Sequence, residues 1–231
     1  MHPEPNRWTV IVTGGSSGLG ASVAALLGAA GATPVVLDRM RPSTDYAFEQ
    51  VDLADSKDTE EAVRRVADAH GGLDAVVTCA GIDVPGALTH VPTETWEHIV
   101  AVNLFGTAAV VRAALPYLEA VGGRVVTVAS TLGHRAVGDA SAYCASKFAV
   151  VGFTRAITAE LQGRVGVTMI TPGGMHTSFF DDREEQYRPG PDAQLCQPDH
   201  VAAAVVFALS QPEGCEVKEM VVTAPTESSW P

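Results

Sequence analysis

The sequence predicts an α/β protein built on a doubly wound parallel sheet, and three observations lead there. Short runs rich in Val and Ile alternate along the chain with longer Ala-rich or amphipathic stretches. The short runs are apolar throughout, not on every second residue, so their strands need cover on both faces, which crossover helices provide. With 231 residues, 46% of them hydrophobic, the chain can close one large core and is short for two, so residues 1–231 read as a single domain.

The elements follow in order. Thr9–Thr13, Pro34–Leu37, Asp74–Thr78, Arg124–Ala129 and Val165–Ile170 are too short for helices and rich in Val or Ile, so they read as buried strands. Leu19–Ala30, Ser56–His70, Trp96–Val121 and Ser141–Gln162 have the length and the helix formers for helices between them. Pro172–Pro198 breaks the rhythm: glycines and prolines flank the charged run Asp181–Glu185, and it reads as a mobile insertion, a substrate lid. About thirty residues follow Asp199, enough for one more helix and one more strand.

Composition excludes some functions. A net charge of −12 with only 15 Lys and Arg leaves no basic patch for a polyanion, so nucleic acid is not an expected partner. Met1 to Arg7 lacks the basic and apolar regions of a signal peptide, and no run of about 18 apolar residues follows, so a cytoplasmic protein without membrane contact is expected. Cys79, Cys144, Cys196 and Cys215 are scattered, which fits buried free thiols in a reducing compartment. His90, His98, His134 and His200 show no metal-ligand spacing, and no metal is expected.

The first strand runs into Thr13-Gly14-Gly15-Ser16-Ser17-Gly18-Leu19-Gly20 and then a helix. Glycines at 14, 18 and 20 permit positive φ and close approach, and the helix start offers unpaired N–H groups, together a cradle for a pyrophosphate. Asp38 ends the second strand, about twenty residues on, where an acidic side chain accepts hydrogen bonds from adenosine ribose. That favours NAD, while the neighbouring Arg39 keeps NADP open by its ability to pair with a 2′-phosphate. Tyr143 and Lys147 lie four apart in a helix and so share a face. Oxidising an alcohol removes a hydroxyl proton as hydride leaves, and reducing a ketone adds one. A phenol, whose ordinary pKa is about 10, needs help from an ammonium, so Lys147 is expected to bring Tyr143 towards neutrality. Ser130 closes its strand at the sheet's ligand-binding end, placed to hold a substrate oxygen. Asn103 falls in the middle of a helix.

Thr13-Gly14-x-x-x-Gly18-x-Gly20, Cys79-Ala80-Gly81, Asn103, Ser130, Tyr143-x-x-x-Lys147 and Pro172-Gly173, in that order, resemble the short-chain dehydrogenase/reductase family over almost the whole chain. The resemblance implies a Rossmann fold of seven parallel strands, an alcohol or carbonyl substrate, and Tyr143 as acid/base with Ser130 orienting the substrate oxygen. It implies that Lys147 holds nicotinamide ribose and that Asn103 anchors a water linking Lys147 to solvent. Asp52 would meet adenine and Thr177 the nicotinamide carboxamide. The implied cofactor contacts include Gly14, Ser16, Ser17, Gly18, Leu19 and Gly20, then Asp38, Arg39, Asp52 and Leu53. Cys79, Ala80, Gly81, Tyr143, Lys147, Pro172, Gly173, Met175 and Thr177 complete them. Two departures stand out. Thr78-Cys79-Ala80-Gly81 stands where the family usually has Asn-Asn-Ala-Gly, so a side-chain brace of the sheet is expected to be missing, and the extra Gly174 is expected to loosen the mouth of the lid. His176 is assigned no role.

The leading expectation is therefore an NAD-dependent alcohol dehydrogenase or ketone reductase. The alternatives are a silent NAD-binding sensor, an NADP-dependent ketone reductase, and an epimerase or dehydratase on the same fold. The apolar content of Trp96–Val121 and Ser141–Gln162 (Val110, Val111, Leu115, Phe148, Val150, Phe153 and others) exceeds one sheet-facing stripe, so a homodimer or homotetramer across these helices is expected.

Overall fold

The computed structural model describes residues 7–230; Met1–Asn6, read above for a leader, lie outside the described residues. Seven strands form one parallel sheet: β1 (Thr9–Thr13), β2 (Thr33–Asp38), β3 (Ala47–Gln50), β4 (Ala75–Thr78), β5 (Arg124–Val128), β6 (Gly166–Pro172) and β7 (Glu219–Val222). Their spatial order is β3-β2-β1-β4-β5-β6-β7, so the chain reverses direction across the sheet between β1 and β4. Ligands settle at the carboxyl ends of strands beside such a reversal.

Six α-helices cover the sheet: α1 (Gly18–Ala29), α2 (Ser56–His70), α3 (Thr93–Val100), α4 (Thr107–Val121), α5 (Ser141–Glu160) and α6 (Pro198–Leu209). Alternate strand residues serve opposite faces. Ile11, Val35, Val76, Val125 and Val167 pack with α2, α4 and α5, whereas Val10, Val12, Val77, Val126 and Ile170 pack with α1 and α6. Asp55 caps α2 by accepting from the backbone N–H of Lys57 and Asp58, both at 3.0 Å.

Five expectations change. β3 was not foreseen, because Ala47–Gln50 carries only four partly exposed residues and no apolar run. The single helix expected over Trp96–Val121 is three pieces, α3, a π-helical turn at Ala101–Gly106 and α4. The whole stretch Thr93–Val121, 29 residues, is long and apolar enough by composition to cross a membrane, where none was expected, but most of its apolar window is buried within the protein. Pro172–Pro198 is not structureless. It folds into an arch with short 3-10 turns at Ser178–Phe180 and Glu185–Tyr187, closed at its base where Cys196 N donates to Gly174 O and His176 N to Cys196 O, both at 2.9 Å. Cys215, expected buried, is exposed, whereas Cys144 and Cys196 are buried.

Candidate active site

At the carboxyl ends of the strands lies a cleft of about 1020 Å³, flanked by the β1–α1 turn, the β4–α3 connection, the end of β5, α5 and the arch. At its β1 end the glycine turn is shaped by necessity. Gly14 has φ +65°, and a Cβ there would stand 2.8 Å from Ala80 Cα; Gly18 has φ +50°. Only glycine takes both the conformation and the approach without strain. Thr13 Oγ1 accepts from Ala80 N at 3.1 Å and ties this turn to the β4 loop. Ser17, at the N-cap of α1, makes no side-chain cap bond, and the first turn carries no acidic residue. The leading N–H groups of α1 are thus free for an anion, and the cradle fits a dinucleotide's pyrophosphate.

Asp38 stands at the end of β2, on the rim of the cleft. Its two carboxylate oxygens accept from Ser16 N and Met40 N, each at 3.1 Å, so it also braces the turns around it. Arg39 and Arg41 line the same end, as do Asp52 and Leu53. Thr78 supplies no brace: its hydroxyl is buried with no hydrogen-bond partner among the described residues.

At the other end, Tyr143 and Lys147 rise from the first turns of α5, and Ser130 follows β5. Lys147 is 4% exposed. Its Nζ donates to Val128 O at 2.9 Å and lies 5.7 Å from the centroid of the Tyr143 ring. Burial brings Lys147 down to about 8, with nearby Cys79 opposing the change. The same burial pushes the Cys79 thiol up to about 12. Tyr143 is also raised, to about 12, chiefly by desolvation in the cleft; hydrogen bonding towards Ser130 pulls the other way and loses, and the Asp83 charge adds to the rise. This corrects the expectation of a phenol drawn towards neutrality. Lys147 spends its nearest bond on a backbone carbonyl, and in this state Tyr143 is a protonated phenol across the neutral range.

Asn103 does not line the cleft. It is fully buried behind it, in the π turn. Its Oδ1 accepts from Ile82 N at 2.8 Å, and its Nδ2 donates to Ile82 O at 3.0 Å and to Ser146 Oγ at 3.0 Å. Its side chain thereby fastens the β4–α3 connection to α5. Every other predicted site residue lines the one cleft, from Gly14 and Ser16 through Cys79, Ala80 and Gly81 to Pro172, Gly173, Met175 and Thr177. His176 does not.

Two contributors, Asp83 and Glu227, escaped the sequence reading, whereas Arg183 falls in the run Asp181–Glu185 read as part of the lid. Asp83 and Arg183 form an ion pair inside the cleft. The C-terminal stretch also reaches it: Glu227 Oε2 accepts from Gly174 N at 2.9 Å, pinning the residue expected to loosen the lid. Burial opposes, and bonds from Ser229 and Gly174 outweigh it, so the Glu227 carboxyl is held below its ordinary range. Only the charge run around Arg183 carried a signal in sequence; neither Asp83 nor Glu227 sits in a recognisable motif.

The family model described as short chain dehydrogenase matches residues 8–188. An uncharacterized oxidoreductase of Staphylococcus aureus is 31% identical over 224 residues, covering 92% of this chain and 95% of that one. One from Staphylococcus saprophyticus is 31% identical over 227 residues with the same coverage. Among solved structures, the aldohexose dehydrogenase of Thermoplasma acidophilum superposes with a TM-score of 0.85 at 23% identity, covering 96% of this chain and 94% of that one. An alcohol dehydrogenase of the archaeon Thermococcus sibiricus, complexed with 5-hydroxy-NADP, does so with a TM-score of 0.84 at 22% identity, over 95% and 97%. These last two share the fold. With the match to the family model spanning most of its length, this chain belongs to the short-chain dehydrogenase family of nicotinamide-dependent oxidoreductases.

Proposed function

We propose that the protein interconverts a secondary alcohol and a ketone, with Tyr143 as the acid/base and NAD as the preferred cofactor. The observation that carries this is the gathering of Ser130, Tyr143 and Lys147 at one end of a cleft whose other end is the glycine cradle. A bound nicotinamide supplies or accepts the hydride. Ser130 holds the substrate oxygen by its hydroxyl, and Tyr143 Oη gives that oxygen a proton in reduction or takes one in oxidation. A phenol raised to about 12 stays protonated at neutral pH and so holds the proton that reduction requires. Lys147, carrying charge below about pH 8, favours phenolate formation when the reaction runs the other way. The walls of the cleft limit water around the proton transfer.

The preference for NAD rests on Asp38, whose carboxylate faces the ribose end and repels a 2′-phosphate. An NADP reading retains support from Arg39 and Arg41 at the same rim. A dimer or tetramer in a reducing compartment completes the proposal.

Tyr143→Phe tests the chemistry. Turnover, followed by nicotinamide absorbance with a panel of alcohols and ketones, is expected to fall about 100- to 10,000-fold, with cofactor affinity unchanged. Near-normal turnover would remove Tyr143 from the reaction. Wild type that binds cofactor and turns over nothing would favour the sensor. Asp38→Ala is expected to shift the NAD-to-NADP ratio of kcat/KM towards NADP; an unchanged ratio would mean that Asp38 serves only its backbone partners.

A further inference from the structure

The cleft holds an ion pair that none of these roles uses. Arg183, from the arch, donates through Nη2 to Oδ2 of Asp83, on the β4–α3 connection, at 2.8 Å. The Asp83 side chain is 4% exposed and that of Arg183 14%. Guanidinium and carboxylate meet best side by side, through two parallel bonds. Here only one is made. Asp83 Oδ1 and Arg183 Nε are both buried and have no hydrogen-bond partner among the described residues. An acceptor and a donor left open in one pair are costly to bury, and such atoms ask for a ligand or a water.

Their place tells which ligand. The Phe179 ring lies 5.8 Å from the Tyr143 ring, and the Arg183 guanidinium sits 4.8 Å over Phe179 and 4.7 Å over Phe180. The open pair thus lines the same cleft as Tyr143, with the Phe179 ring between them, and is placed to meet a second group of the substrate.

We propose that Asp83 and Arg183 form a fork that recognises a second hydroxyl of the substrate, so that the enzyme acts on polyhydroxylated alcohols or the matching hydroxy-carbonyl compounds. The inference rests on the oxidoreductase reading and adds its substrate class. A hydroxyl donates one hydrogen bond and accepts others, so it can donate to Oδ1 of Asp83 while accepting from Nε–H of Arg183. A carboxylate would suit Arg183 but meet the charge of Asp83, and an ammonium would meet the reverse. An alkyl group would leave both atoms open. Phe179 and Phe180 offer flat apolar surface to the C–H side of such a molecule. Neither charged residue stands on the sheet, so the single bond between them can part to admit the hydroxyl without disturbing the core.

The test uses three compounds with one carbon skeleton: propylene glycol, isopropanol and lactate, with sorbitol as a larger polyol. With NAD+ or NADP+ as the hydride acceptor, wild type is expected to oxidise propylene glycol in preference to isopropanol about 100-fold or more in kcat/KM, mainly through KM. In Asp83→Asn and Arg183→Gln that preference, read as the ratio of the two kcat/KM values within each variant, is expected to collapse. Equal losses on both alcohols would make the pair only a latch for the arch, and a preference for lactate or for isopropanol in wild type would overturn the fork; neither touches the oxidoreductase reading. The wild-type ratios stand even where a variant fails to fold. Calorimetry of sorbitol with wild type and Asp83→Asn separates the two proposals. Sorbitol binding lost in the variant, without turnover of any compound, would keep the fork and sink the oxidoreductase reading. No polyol binding and no polyol turnover would sink the fork.

Discussion

Lys147 carries the sharpest consequence of burial at a single residue. Its folded pKa, about 8, lies below the ordinary 10.5, so between those values the unfolded chain holds a proton that the folded chain does not. Stability should rise with pH through that window. Cys79, raised from 9 to about 12, works in the opposite sense above pH 9, and Tyr143, raised from 10 to about 12, does so above pH 10, which leaves pH 8 to 9 as the clean interval. Urea midpoints of the cofactor-free protein across that interval are expected to show a gain that Lys147→Met lacks; equal slopes for both proteins would mean that the ammonium is not desolvated. At this scale the sequence was most legible where backbone geometry is extreme or a motif has fixed spacing. Gly14, Gly18, Tyr143 and Lys147 fall where they were expected. The direction of the Tyr143 shift was not legible, because it depends on how much solvent the arch and the β4 loop exclude, and Lys147 turning to the Val128 carbonyl is set by tertiary packing. Asp83 and Glu227 come from connections whose local residues say nothing about which cleft they will border.

Among the elements, the π turn Ala101–Gly106 ties the cleft together. One side chain, Asn103, holds both backbone groups of Ile82 and the hydroxyl of Ser146, joining the β4–α3 connection to the helix of Tyr143. Replacing it by Leu would strand those polar groups in a buried site, at about 1–3 kcal/mol for each group left without a partner. We expect Asn103→Leu to lower the urea midpoint and to raise the exchange rate of the Ile82 amide more than those of the β1 amides; an unaltered Ile82 amide would show that the connection holds itself. The five short strand candidates were readable from apolar runs and the four helix candidates from helix formers, one of these, Trp96–Val121, proving to be three pieces. The π turn was not, since one extra residue in a helical turn leaves an apolar pattern almost unchanged. β3 escaped because an edge strand of four residues with one paired side carries no continuous apolar run.

Seen whole, the molecule absorbs most of the apolar surplus on its long helices. Val110, Val111, Val150, Val151, Ile157 and Leu161 are all buried within the chain, and Phe153 packs against the core formed with α2 and α4. The surplus therefore points to an oligomer less broadly than the sequence implied. What remains outside is Phe105, 54% exposed, on the π turn, Phe148, 44% exposed, on α5 beside it, and Val121, 59% exposed, at the end of α4. If the protein assembles through these helices, Phe148→Glu should yield a monomer by light scattering, with turnover reduced because α5 also carries Tyr143 and Lys147. An unchanged mass would place any interface elsewhere. The order of the strands has a consequence of another kind. β1 lies between β2 and β4, and Val10 pairs with Thr33–Asp38 through Pro34 on one side and with Ala75 on the other. Among the described residues no two strands are joined by a hairpin, and apart from β2 and β3, linked by residues 39–46 without a helix, each pairing waits for a helix-length stretch of chain to be made first. During synthesis one flank of β1, with the apolar faces of Val10 and Val12, stays open until β4 emerges, and β4 in turn waits for β5. Slow growth of a non-local sheet exposes sticky edges, so the yield of soluble protein should depend on translation speed and on growth temperature, with cooler, slower expression recovering more of it.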